Sequence, residues 1–150
     1  MSDLVAVAYS SVACRSFSEA ELFELSQQAA ARNLLLEVTG YLHFKAGTFF
    51  QYLEGQSGSV ADLMESIRRD PRHKVVNEVD LGLLTERAFP SWSMRYLPQH
   101  QLVELSLDVV AEHIITNTDT RIYGVARSRE RILSIIRKIS QFRTRIDSLR

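Results

Sequence analysis

The chain has 150 residues, 45% hydrophobic and 24% charged, with 18 Lys and Arg against 18 Asp and Glu. Those proportions suit one soluble globular domain with an appendage, large enough to close a core without disulfides or metal. The single cysteine, Cys14, excludes an internal disulfide. The first residues carry no basic leader, and no apolar run approaches the roughly 18 residues of a membrane span. A reduced cytoplasmic protein without membrane contact is therefore expected. The neutral total hides an asymmetry: residues 1–120 hold nine Lys and Arg against sixteen Asp and Glu, whereas residues 121–150 hold nine against two. Such a basic end suits an acidic partner, or a fold-back onto the acidic body.

In chain order, "LVAVAY" (4–9) reads as a strand, apolar on both faces, with Val5, Val7 and Tyr9 on one side. Ser18 and Glu21 form a capping box, Phe17 and Leu22 a hydrophobic staple, and a helix is predicted from there to about residue 34. Leu22, Leu25, Ala29 and Asn33 fall near one face of it. Two strands follow, 37–45 and 48–54, joined across Ala46-Gly47 as a hairpin. On the second, Phe49, Gln51 and Leu53 point one way and Phe50, Tyr52 and Glu54 the other. Residues 55–59 read as a loop with Ser59 as N-cap. Val60, Leu63, Met64 and Ile67 then give the stripe of an amphipathic helix, stopped by Asp70-Pro71. A fourth strand is predicted at 75–84 and a fifth at 91–97, with Trp92, Met94 and Tyr96 sharing a face.

This order predicts an α+β fold: a ferredoxin-like β-α-β-β-α-β sheet with an added fifth strand and two helices on one sheet face. Two C-terminal helices complete it, at 102–115 and 128–149, separated by a break at 117–124. Ile132, Ile135, Ile136, Ile139, Phe142 and Ile146 form the apolar stripe of the last helix. It must dock on the domain or on another chain. The division expected is a domain over 1–97 and a helical extension over 98–150.

Few residues invite chemistry. His43, His73, His100 and His113 do not recur at metal-ligand spacing, so no metal is expected. No phosphate-cradling glycine motif is present. Cys14 reads as a quiet thiol rather than a nucleophile. Polar groups on otherwise buried strands remain. Tyr9 ends an apolar strand, and Gln51 sits among aromatics in "TFFQYLEG"; buried phenols and amides need partners. For Gln51 the partner is either a neighbouring backbone or a polar ligand. On the residues alone Asn33 reads first as a helix cap, Trp92 and Met94 as core, and Arg72-His73 as a solvated turn. The residues alone thus reach a ferredoxin-like domain with a polar pocket between two helices, and no named ligand.

Taken together, "LVAVAYSS", "ARNLLLEVTGYLHF", "GTFFQYLEG", "IRRDPRH" and "RAFPSWSM" resemble, in order and spacing, the sensors of blue light using FAD, the BLUF family. The resemblance covers about residues 4–97. It implies a flavin, usually FAD with FMN as the alternative, held non-covalently between the two helices. Tyr9 matches the tyrosine that passes an electron and a proton to the excited flavin. Gln51 matches the glutamine bridging that tyrosine and the flavin, and Asn33 the asparagine bonded to the flavin carbonyl edge. Arg72 and His73 match the arginine-histidine pair near the flavin. Trp92 and Met94 match the switching pair on the last strand, with flexible Met94 the first relay. The chain departs in having "VTG" for the frequent "ITG", and Ser66 where some members place a phosphate-reaching arginine; Arg68 and Arg69 are the nearby cations.

The resemblance implies a photoreceptor rather than an enzyme. Its output would run through the C-terminal helices to an unidentified protein partner, with homo-oligomers formed by those helices. The alternatives are a light-independent flavin redox regulator, or a nucleic-acid binder using the basic tail. Against the second, half of the last helix is apolar.

Overall fold

The protein is described by a computed structural model covering residues 3–149. Strand β1, Leu4–Ala13, leads into helix α1, Glu19–Leu36, whose first turn carries the expected capping box. The Glu21 amide donates to Ser18 Oγ at 3.2 Å, and the Ser18 amide donates to Glu21 Oε1 at 3.0 Å. The helix ends where Glu37 turns left-handed (φ 54°) and the Val38 amide closes on the Asn33 carbonyl.

Strands β2, Thr39–Lys45, and β3, Thr48–Gln56, form the predicted hairpin. Ala46 and Gly47 both adopt positive φ (50° and 79°), which matches the twist of the flanking strands. Gly40 is required by crowding: a Cβ there would lie 1.8 Å from the Tyr52 carbonyl oxygen. Helix α2, Ser57–Arg69, starts two residues before the predicted cap at Ser59. Strand β3 stays paired with β1 out to Gln56, and the Ser57 amide bonds the Asp3 carbonyl, so no loop intervenes. Its stripe, Val60, Leu63, Met64 and Ile67, is buried as expected.

Strand β4, His73–Leu83, and β5, Arg95–Leu97, complete a sheet of order β4-β1-β3-β2-β5, in which only the β2–β5 pairing is parallel. This is the expected ferredoxin-like α+β arrangement with an added edge strand. That edge strand is much shorter than predicted, however. The Trp92 amide bonds the Phe89 carbonyl in a turn, and the Trp92 carbonyl accepts from Gly40, which takes residues 91–94 out of the ladder. Because the backbone turns there, Trp92 and Met94 do not share a face, contrary to the two-residue reading. Met94 and Tyr96 pack towards α1 and α2, while Trp92 packs on the opposite face.

The C-terminal segment is also more broken than predicted. In place of one helix over 102–115 stand α3, Gln99–Glu104, and α4, Asp108–Asn117. Ser106 is left-handed (φ 58°) between them, so both Leu102 and Leu107 reach the core. The expected break holds a single turn, α5, Thr120–Tyr123, started by the Asp119 carboxylate accepting from the Arg121 amide. The last helix divides into α6, Val125–Ser140, and α7, Arg143–Asp147, where the Phe142 amide tightens onto the Ile139 carbonyl.

Two cores result, one on each sheet face. Helices α1 and α2 cover the first. The tail covers the second: Ile132, Ile136, Ile139 and Ile146 are almost wholly buried against Ala6, Ala8, Phe50 and Val79. The apolar stripe therefore docks on the chain's own sheet.

Candidate functional site

Between α1, α2 and the first sheet face lies a cleft of about 650 Å³, counting its open mouth. Its floor is Tyr9, Leu42, Phe49 and Gln51; α1 supplies Leu25, Gln28, Ala29 and Arg32; the α2–β4 end supplies Ile67, Asp70, Arg72 and His73. The mix of apolar walls with a few convergent polar groups fits a largely apolar ligand bearing a polar edge.

Tyr9 and Gln51 are directly opposite in the β1–β3 ladder, so their side chains meet on the same face. The Tyr9 hydroxyl donates to Gln51 Oε1. Burial pushes the Tyr9 phenol well above its ordinary range, an effect only partly offset by Arg32, so the group is a firmly protonated donor. With its oxygen turned to Tyr9, the Gln51 amide directs Nε2 to Met94 Sδ at 3.1 Å. A thioether is a weak acceptor. The amide is thus oriented mainly by one strong bond at its oxygen end.

His73 is held in place from both sides. Its Nε2–H donates to the Ile67 carbonyl at 2.9 Å, which leaves Nδ1 to accept from the Ser11 hydroxyl at 2.6 Å. Its ring meets Tyr9 and Phe49 edge-on, with centroids 6.0 and 5.9 Å apart. Arg72 reaches the cleft rim clamped on Asp70, with Nη2 2.5 Å from Oδ2. That bond holds the Asp70 carboxyl below its ordinary range and raises Arg72.

Asn33 sits one turn beyond Ala29 on the buried face of α1. It is fully buried, and neither its amide nitrogen nor its oxygen has a hydrogen-bond partner. A buried primary amide left unpaired is costly. A ligand edge presenting adjacent acceptor and donor groups would satisfy it, as the carbonyl and imide N–H of an isoalloxazine do. The residues present therefore fit a flavin.

Of the site predicted from the sequence, Tyr9, Gln51, Arg72 and His73 line the cleft and Met94 touches Gln51, whereas Asn33, one turn beyond Ala29, is buried and is not among the lining residues. Trp92 does not join them. It stacks on Phe89 with centroids 4.9 Å apart, and its indole N–H donates to Asp147 of α7 at 2.8 Å. Arg68 is held bidentate by Glu78, both bonds 2.7 Å, and Arg69 by Glu65, so neither faces the cleft. Arg32 and Asp70 were not singled out from the sequence, although "ARN" and "DPR" place them beside residues that were.

Fold and cleft thus define a ligand-holding α+β module with a tyrosine–glutamine pair on its floor. Residues 4–95 match the family of sensors of blue-light using FAD. The chain belongs to that family, BLUF, whose domains bind FAD and sense blue light.

The photoactivated adenylate cyclase subunit beta of Euglena longa is 35% identical over 102 residues, 67% of this chain but 12% of that protein. The chain thus spans 7–12% of the length of the curated relatives it matches. Among solved structures, the dark-state BLUF protein BlrB superposes with a TM-score of 0.69 at 26% identity, covering 94% of this chain and 98% of its own. Klebsiella pneumoniae BlrP1, solved with FMN and cyclic diGMP, gives a TM-score of 0.56 at 32% identity over 65% of this chain and 26% of that one.

Proposed function

We propose that the whole chain is a non-catalytic photosensor in which residues 1–97 sense light and residues 98–150 carry the output. One observation carries this reading: the buried Gln51 amide is suspended between a strong donor, Tyr9, and a weak acceptor, Met94. A bound flavin supplies blue-light absorption and an excited state able to take up an electron. Tyr9 is the residue suited to release an electron with its proton, since burial keeps the phenol protonated at rest. Gln51 is the switch. An amide can exchange donor and acceptor ends by turning or tautomerising, without leaving a net charge. Breaking the Tyr9 bond removes what orients it, and the Met94 thioether opposes the change only weakly. Met94 then relays the change, and Trp92, bonded to Asp147, lies where the tail would receive it.

Asn33, Arg72 and His73 would hold the flavin, with Arg32 and Arg72 the cations facing the cleft. We assign FAD as the usual ligand, and FMN stays within the same donor set. A downstream protein partner fits the tail, as does homo-oligomer formation: Val109, Ile122, Tyr123 and Val125 are exposed there. The free, exposed Cys14 suits a reducing cytoplasm. No described helix is long and apolar enough to cross a membrane.

Blue light should red-shift the flavin absorption of the reconstituted protein slightly, with recovery in the dark. Gln51→Leu should keep the flavin and abolish that shift. A normal photocycle in Gln51→Leu would remove the residue from its role.

A further inference from the structure

Three residues beyond Gln51, on the opposite face of β3, stands a fully buried carboxylate that the switch itself does not use: Glu54. Four donors reach it. Oε1 accepts from the Tyr52 hydroxyl at 2.9 Å and the Ala88 amide at 2.8 Å; Oε2 accepts from the Thr39 hydroxyl and the Phe89 amide, both at 2.8 Å. Arg87 donates to Thr39 Oγ1 at 2.9 Å, which commits the Thr39 proton to Glu54. Only an acceptor-only carboxylate accommodates this set.

The two amides belong to the segment that leads to the switch. The Phe89 ring stacks on Trp92 at an interplanar angle of 6°, the Trp92 amide returns to the Phe89 carbonyl, and two residues on, Met94 accepts from Gln51. One strand thus grips both ends of this segment, Glu54 from one face and Gln51 from the other. We propose that Glu54 is a positioning residue of the light switch, fixing segment 88–94 so that the Met94 thioether stands at the Gln51 amide. The proposal rests on reading Gln51 and Met94 as switch and relay.

Glu54→Gln tests it. In either amide orientation its NH₂ faces the Ala88 or the Phe89 N–H, neither of which can reverse, so one anchor is lost and replaced by a donor–donor contact. Trp92 is the only tryptophan, so its emission reports the segment directly. The variant should bind FAD with an unchanged dark absorption maximum. Its dark recovery should change by about tenfold, the scale of one misplaced buried hydrogen bond, and acrylamide should quench Trp92 more readily in the dark. Glu54→Asp, which restores the carboxylate, should recover part of both effects. If Glu54→Gln does not fold, Thr39→Val and Tyr52→Phe each remove one donor, with changes of about threefold expected in the same direction. Folded variants with wild-type recovery and wild-type quenching would overturn the proposal. Absence of any light response in the unsubstituted protein counts against the Gln51 reading instead, and the dark quenching of Trp92 still decides whether Glu54 sets the segment.

Discussion

The two faces of β3 carry polar side chains of opposite character. Gln51, on the flavin face, has one firm bond and one weak one; Glu54, on the tail face, has four good ones. Both are buried among aromatics, so burial alone does not decide what a polar residue does. The number and strength of its partners does. A group held at one end can move when that bond fails, whereas a group held at four points transmits movement without itself changing. The sheet therefore places a movable amide back to back with a fixed carboxylate, three residues apart.

The contrast predicts that the tail face behaves as a core and not as a loosely laid cover. Ile136→Ala removes a side chain that is 2% exposed and packed under the sheet. It should lower unfolding free energy by about 3 kcal/mol, as a buried large-to-small change does, measured by urea unfolding of the flavin-loaded protein. The flavin absorption maximum should not move. A loss below about 0.5 kcal/mol would mean that α6 leaves the sheet readily, and the two faces would then be equally mobile.

How much of this was legible in the sequence follows the same division. The placement of three residues on the cleft side was readable, because strand alternation puts Tyr9 and Gln51 on predictable sides and the capping box fixes the phase of α1, hence Asn33; what they hold came only with the family resemblance. Residues 88–94 were not readable. A run such as "SWSMRYL" has the alternation of a strand, and nothing local shows that the Trp92 amide turns back to Phe89 or that the Trp92 carbonyl is taken by Gly40. The second of these is a contact across more than fifty residues. The breaks at Ser106 and Phe142 were hidden for a related reason: the apolar period of the tail is continuous, and only packing on a twisted sheet selects where it yields. Glu54 was placed on the correct face, but a lone carboxylate gives no sign of four donors arriving from three separate segments.

Asn33 tests the flavin face where its polar groups are least satisfied. Asn33→Ala should weaken flavin binding by about tenfold, the worth of lost hydrogen bonds to a ligand edge, as read by flavin titration. The same change should leave the flavin-free protein nearly as stable as before. It discards a buried amide that has no partner and places a better helix former in α1. A flavin-free protein destabilised by more than about 2 kcal/mol would show the amide to be part of the scaffold.

The smallest effect concerns an exception on the tail face. His43 is fully buried on β2, with one ring nitrogen bonded to the Leu97 carbonyl at 2.8 Å and Nε2 without a partner. Burial is the main cause of a pKa below its ordinary 6.5, opposed by the Leu97 bond and more weakly by Glu112, with Lys45 adding to it. Below that value the unfolded chain takes up a proton at His43 while the folded chain does not. Its contribution is therefore present above pH 6.5 and is lost as the pH falls through the lower folded value, at no more than about 1.4 kcal/mol per pH unit. His43→Gln keeps a donor for Leu97 and removes the titration. Between pH 7.5 and 5.5, roughly spanning the histidine range, its melting temperature should fall less than that of the unsubstituted protein. Parallel curves would mean that water reaches His43 beneath the tail. The tail would then be opening on its own, and the contrast between a movable face and a fixed one would rest on Glu54 alone.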